Sequence, residues 1–229
     1  MMVALETIAQ IKSDFPKKFG IPRQSGLVKT KAQIIFEPKY RKPEALRGLE
    51  EYSHLWLLWY FSEVKPSGSW SPTVRPPRLG GNQRRGVFAT RSPFRPNPLG
   101  LSSVQLEGIE FSSEQGPVLH IIGADLLDQT PIFDIKPYIP YTDSHPEAWS
   151  GFSVSQSKLL QVEIAPELLV RLSEEQQKNL LAILAGDPRP AYQNNPERLY
   201  FLEFAGLEIS FRVQGQQLKV EDLKVPDNL

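Results

Sequence analysis

Cysteine is absent and histidine occurs only at 54, 120 and 145. Disulfides and thiolate metal centres are therefore excluded, and a histidine-based metal site has few ligands to draw on, so no metal is expected. Long apolar runs are missing too: LWLLWYF at 55–61 is far shorter than the ~20 residues that cross a bilayer. The opening MMVALETIAQIKSDF has no basic segment followed by an apolar one, so a cytoplasmic protein without a membrane is expected. No GxGxxG follows a strand, and GxxxxGK[ST], HExxH, GxSxG and CxxC do not occur. These absences set aside the usual dinucleotide, nucleoside triphosphatase, zincin, α/β-hydrolase and thioredoxin-like chemistries.

A further absence is local. Residues 66–106 contain no Asp, Glu or Lys but six arginines: Arg75, Arg78, Arg84, Arg85, Arg91 and Arg95. The zero net charge hides a division, with 17 basic and 7 acidic side chains in residues 1–106 against 9 and 19 in 107–229. Such a lobe attracts phosphate, and arginine in place of lysine favours bidentate and stacking contacts. The alternative is that these arginines pair with the acidic half, within the chain or across a dimer.

What is present reads as a mainly β, α+β protein of 229 residues, with a larger domain over 1–152 and a smaller α+β domain over 153–229. Strand patterns occur in ALETIAQIKS at 4–13 and KAQIIFEP at 31–38. A short helix is expected over PEALRGLEEY at 43–52, then a strand buried on both faces in SHLWLLWYFS. The Pro, Gly, Ser and Arg of 65–86 form a long loop, and GVFAT at 86–90 resumes a strand. LSSVQLEGIEFS and PVLHIIGADLLD make two strands joined around Gly116, while the four prolines of 131–146 bar a regular helix. KLLQVEIAP at 158–166 is a strand, a helix runs from its N-cap Ser173 to its stop at Gly186, and a meander turns at Ala205-Gly206 and Gln214-Gly215. His54 and the aromatic series Trp56, Trp59, Tyr60 and Phe61 read as core. Three irregular segments, IPRQSG at 21–26, the arginine segment 75–101 and DLLDQTPIFDIKPY at 125–138, lie beside strands, and loops from one end of a barrel or sandwich converge on one pocket.

PRQSG, LRGLEEYSHLWLL, TVRPPRLGGNQRRGVFATRSPFRPNPLGLS and DLLDQTPIFDIKPYIP resemble the bacterial members of the tRNA (adenine N6) methyltransferase O family over nearly the whole chain. The resemblance implies a small β-barrel that binds S-adenosylmethionine, works as a homodimer, and methylates N6 of threonylcarbamoyl-adenosine at position 37 of a threonine tRNA. Matching the cofactor segments places Pro22, Arg23, Gln24, Ser62, Glu63, Arg91, Leu101, Asp128, Gln129, Thr130 and Pro131 around the cofactor. Two positions depart from the family: Gln129 stands where glycine is common, and Ser62-Glu63 where many members have His-Gln.

The methyl donor is already activated, so alignment and exclusion of water are what the protein supplies. N6 of the substrate is urea-like and must lose a proton, and Asp134, or Asn97 between two prolines, offers an acceptor. Lys136 would meet the threonyl carboxylate or simply pair with a neighbouring Asp, and Asp134 would serve as base or merely hold Lys136. Phe94 and Tyr138 stack on a base or belong to the core. Arg75, Arg78, Arg84, Arg85 and Arg95 are assigned to the anticodon stem-loop, with an expected slope of log affinity against log salt of about −3 to −4. Two other readings remain open: a non-catalytic RNA-binding barrel, and a methyltransferase of the same fold acting on a small molecule.

Overall fold

The computed structural model describes residues 3–64, 70–79, 81–112, 114–153, 159–190 and 193–226, with the Arg78 side chain outside the description. Six strands close into an antiparallel barrel: β1 (Ala9–Lys12), β2 (Lys31–Phe36), β3 (His54–Tyr60), β6 (Leu99–Glu110), β7 (Val118–Ile122) and β8 (Pro131–Pro137), in the order β1, β2, β7, β6, β3, β8. Between β3 and β6 the chain adds a two-stranded ribbon of β4 (Thr73–Val74) and β5 (Arg85–Gly86). Closure leaves no sheet edge, and alternate side chains fill the interior. Ile11, Ile34, Leu55, Leu57, Val104, Leu119, Ile121 and Ile132 are at most 1% exposed there.

β3 shows why closure matters: Leu55, Leu57 and Trp59 are buried, whereas Trp56, Leu58 and Tyr60 are only half-buried on its outer face. The expectation of burial on both faces fails, because the outer-face side chains keep part of their surface exposed. His54 is exposed at the start of this strand, beside the Ser53 hydroxyl, and is no core residue. Gly48 adopts φ +83° and divides the expected helix into two 3-10 turns, Pro43–Leu46 and Leu49–Glu51. The strand expected at 86–90 ends at Gly86, after which Val87–Ala89 is a 3-10 turn.

After β8 comes a short helix α1 (Pro140–Asp143), and its Asp143 accepts from Trp56 Nε1 at 2.9 Å. The expected boundary at 152/153 adjoins residues 154–158, which lie outside the described residues. The second region comprises β9 (Gln161–Glu163), α2 (Pro166–Leu169), α3 (Glu174–Ala185), β10 (Tyr200–Phe204), β11 (Leu207–Gln214) and β12 (Gln217–Lys224). Its sheet runs β10, β11, β12, β9, with β9 parallel to β12. Ser173 and Gln176 form a reciprocal capping box on α3, and Gly186 ends it. Leu180, Ile183 and Leu184 from this helix join Phe204, Ile209 and Phe211 in a core of its own.

That core includes two residues from the connection between β1 and β2. Phe15 and Val28 are 1% and 6% exposed within it, and Phe19 and Ile21 pack against it. Phe19 stacks on Phe211 with centroids 6.4 Å apart, and Phe15 meets Phe204 at 5.7 Å. The 13–30 connection is thus shared, with its ends in the barrel and its apolar side chains in the second region.

Candidate active site

Strand direction decides which loops meet. β1 ends where β2 begins, since Lys12 faces Gln33, and β3 ends where β6 begins, since Tyr60 faces Leu99. Lys31 faces Ile122 at the end of β7, and Gln10 faces Pro131 at the start of β8. One rim therefore carries all three irregular connections, 13–30, 61–98 and 123–130. They are stitched together: Gly26 N donates to the Gly123 carbonyl at 2.8 Å, Asp128 N to the Phe15 carbonyl at 2.9 Å, and Phe61 N to the Pro98 carbonyl at 2.9 Å. Arg91 Nη1 donates to Gln24 Oε1, and Gln24 Nε2 to the Arg23 carbonyl, so the arginine segment and the PRQ segment touch. Lys18 Nζ donates to the Glu63 carbonyl at 3.2 Å, bringing the turn at Ser62-Glu63 to the same rim.

Asp128 accepts from Ser13 N at 2.9 Å, and Gln129 N donates to the Ile11 carbonyl at 2.8 Å, pinning this segment along the exit of β1. Gln129 has φ +62°, a left-handed conformation that favours glycine. Its departure from the family's common residue thus falls at a position where the backbone, not the side chain, is constrained. Thr130 is 2% exposed. A cavity of about 410 Å³ opens beside Asp128 and Gln129, lined also by Lys12, Arg41 and Glu37. Pro22, Arg23, Arg91 and Leu101 do not line it, so this cavity does not gather the expected cofactor residues.

Leu101, Leu58 and Asp134 form one row across β6, β3 and β8, because Leu58 pairs with both neighbours. At the usual strand spacing, Leu101 and Asp134 are about 10 Å apart on the outer face. A bulge between Leu58 and Trp59 places Phe133 as the extra residue, against the Tyr60 ring at 6.0 Å. Asp134 Oδ2 pairs with Lys136 Nζ at 2.9 Å and its Oδ1 accepts from Ile135 N at 3.0 Å. The carboxylate is 44% exposed, so the pair is open to solvent. Asn97 is exposed, with its carbonyl accepting from Leu99 N at 2.7 Å. Tyr138 packs on Trp56 at 5.5 Å, away from the rim.

Among the described residues, no ion pair involves Arg75, Arg84, Arg85, Arg91 or Arg95. Among the described residues these five arginines thus form no ion pair with the acidic half, although the charge of Arg91 acts on Asp125. Arg84 Nη1 reaches the Thr73 hydroxyl at 2.8 Å, and Arg85 Nη2 reaches Gln83 at 3.4 Å. Arg95 differs, because its Nη1 donates to the Thr90 and Ser92 carbonyls and braces its own loop. Beside the ribbon, Trp70 and Phe88 are 52% and 73% exposed with rings 6.0 Å apart, and Phe94 is 67% exposed. In the sequence only a position in an acid-free stretch singles out Trp70 and Phe88.

Asp125 is not among the residues expected at the site. This half-buried carboxylate accepts from Ser102 Oγ at 2.6 Å, and Ser102 accepts from the buried Trp59 Nε1 at 3.0 Å. Burial pushes the Asp125 carboxyl above the ordinary range, opposed by the Ser102 hydroxyl, by the backbone at Asp125 and Ser25, and by the charge of Arg91. The chain Trp59, Ser102, Asp125 connects the barrel interior to the rim. Gly100 permits it, since a Cβ there would fall inside the Trp59 indole.

Among the described residues no group of three His, Cys, Asp or Glu could hold a metal, and no helix is long and apolar enough to cross a membrane. A closed antiparallel barrel with three stitched loops on one rim, next to arginines that have no ion-pair partner among the described residues, defines a small β-barrel protein with an exposed cationic surface beside its loops. Residues 10–144 match the tRNA-methyltransferase O N-terminal domain, and residues 157–226 the TrmO C-terminal domain. The chain belongs to the tRNA-methyltransferase O family. It is 42% identical to the tRNA (adenine(37)-N6)-methyltransferase of Escherichia coli strain K12, over 94% of this chain and 95% of the relative. A putative S-adenosylmethionine-dependent methyltransferase, RcsF, of Pseudomonas aeruginosa is 39% identical over 91% and 92% of the two chains. A crystal structure of TrmO from Pseudomonas aeruginosa superposes with a TM-score of 0.79 at 33% identity, covering 99% of this chain and 98% of that one.

Proposed function

We infer that this protein uses S-adenosylmethionine to methylate N6 of adenine 37 in tRNA. The observation that carries the reading, beyond family membership, is the adjacency of the stitched rim to arginines without acidic partners. The donor set suits a zwitterionic cofactor: Arg91 has no ion-pair partner, and the same holds for Asp125 and Asp128 among the described residues. Arg23 and Arg91 would hold its carboxylate, the Asp128–Pro131 backbone its polar edges, and Leu101 its apolar flank. When bound, the cofactor supplies an activated methyl group, so the protein's contribution is alignment and dryness.

Asp134 is the proposed acceptor of the N6 proton. Its partner Lys136 is exchangeable, because an exposed pair contributes little to stability. The anionic threonyl group of threonylcarbamoyl-adenosine would draw Lys136 away and free the carboxylate. Asn97 would orient the base from the adjoining loop. Arg75, Arg78, Arg84 and Arg85 serve the anticodon stem-loop of a threonine tRNA, while Arg95 shapes the surface. A homodimer would cover the half-buried outer face of β3.

The test is transfer of a labelled methyl group from S-adenosylmethionine to tRNA, followed by nucleoside mass spectrometry. A product one methyl heavier at adenine 37 is expected. RNA binding without methyl incorporation would favour a non-catalytic barrel. Cofactor binding without RNA binding would favour a small-molecule methyltransferase.

A further inference from the structure

We propose that the turn Asp187–Arg189 of the second region is a positioning device for Arg23, so that this region sets the geometry of the cofactor side of the rim. The proposal rests on the reading that Arg23 contacts the cofactor.

Arg23 Nη2 donates to two carbonyls of one turn, those of Asp187 at 2.9 Å and Arg189 at 3.2 Å. The turn is locked by its own side chains. Arg189 donates through Nε and Nη2 to the two carboxylate oxygens of Asp187, at 2.9 and 3.0 Å, and its backbone N reaches the same carboxylate at 3.2 Å. Asp187 takes φ +51°, a left-handed conformation that aspartate tolerates better than most residues. A fork-to-fork pair of this kind fixes orientation as well as distance. Its guanidinium half is buried, with Arg189 only 6% exposed and lying over the Tyr200 ring at 5.8 Å.

Joining the two regions does not require this buckle. Phe15, Phe19, Ile21 and Val28 already anchor the 13–30 connection in the second core. Arg23 lies exposed at the tip of that connection, and its side chain is fixed by polar contacts alone. On the other side its carbonyl is held by Gln24, which accepts from Arg91. Arg23 is thus gripped between the second region and the arginine segment, while its Nε and Nη1 have no partner among the described residues. The Asp187 carboxylate and, more weakly, the Tyr200 hydroxyl both favour the charged Arg189 guanidinium, so the fork is braced on two sides. A turn locked by its own charged fork that presents two carbonyls to one guanidinium is built for position.

Calorimetric titration of the full chain with S-adenosylmethionine tests this with Asp187→Asn, Arg189→Lys, Arg23→Ala and the double variant Arg23→Ala/Asp187→Asn. Asp187→Asn keeps a residue that accepts the left-handed turn but removes the charged fork. It is expected to weaken cofactor affinity about five- to tenfold, the scale of one lost hydrogen bond. The cofactor KM should rise while kcat at saturating cofactor and tRNA affinity hold. In the Arg23→Ala background the same substitution should have no further effect, because its influence passes through Arg23. Should Asp187→Asn fail to fold, Asp187→Gly keeps the turn and removes the carboxylate. Wild-type cofactor affinity in Asp187→Asn and Arg189→Lys, or full additivity with Arg23→Ala, overturns the proposal. If Arg23→Ala itself leaves cofactor affinity unchanged, the reading of Arg23 as a cofactor contact fails, and the proposal with it.

Discussion

Gln129 shows how one residue can be misjudged from its side chain. Against the family it looks like a lost contact, but at φ +62° what the position demands is a backbone conformation, which costs a non-glycine residue about 1–2 kcal/mol. Gln129→Gly should relieve that strain, partly offset by glycine's extra unfolded-state entropy, and raise stability by up to about 1 kcal/mol. Thermal melts and cofactor titration of the variant check this, with affinity expected to hold. Asp125 has the opposite problem, a carboxylate kept where burial opposes its charge. A raised folded-state value means the folded form holds the proton longer, so stability falls as pH rises from about 4 through that value. Asp14, also raised chiefly by burial, acts in the same direction. Asp125→Asn should therefore be more stable than the parent at neutral pH and equal to it below about pH 4, a difference melts across pH will read.

At the scale of elements, the ribbon between β3 and β6 exposes Trp70 and Phe88 near arginines that have no ion-pair partner among the described residues. Stacking of an unpaired base on an aromatic face is worth about 1–3 kcal/mol. Phe88→Ala should weaken binding of an anticodon stem-loop about tenfold without changing the salt slope. Replacing both Arg84 and Arg85 should instead flatten that slope by about 2, and anisotropy titrations at several salt concentrations separate the two effects. The start of β6 depends on a close approach, since Gly100 leaves room for the Trp59 ring. Gly100→Ala should displace the indole, break its bond to Ser102, and cost about 1–3 kcal/mol, measurable as a lower denaturant midpoint.

For the whole molecule, the 13–30 connection makes the barrel and the second core dependent on each other. Phe15 leaves the barrel to become one of the largest fully buried side chains, inside the other core. Phe15→Ala should cost about 3–5 kcal/mol. Because the ends of the connection belong to the barrel, fluorescence and circular dichroism should follow one transition, shifted as a unit. Lys31 adds a polar tie, reaching Glu107 at 3.0 Å and Glu175 of α3 at 3.5 Å. Acidic residues of the C-terminal half thus meet lysines of the barrel and leave the arginine surface open.

The sequence by itself determined what depends on local chemistry. Ser173, followed by Glu174 and Glu175, announced a helix start and Ala205-Gly206 announced a hairpin, because capping and turn geometry need no distant partner. The hairpin expected at Gln214-Gly215 turns one residue later, at Gly215-Gln216. Only the tertiary structure decided that β3 has an outer face, that His54 is exposed, that Leu101 and Asp134 share a row, and that Asp125 joins a chain from Trp59. Each of these depends on strand register and barrel closure, which set which side of a strand faces inward and which loops share a rim.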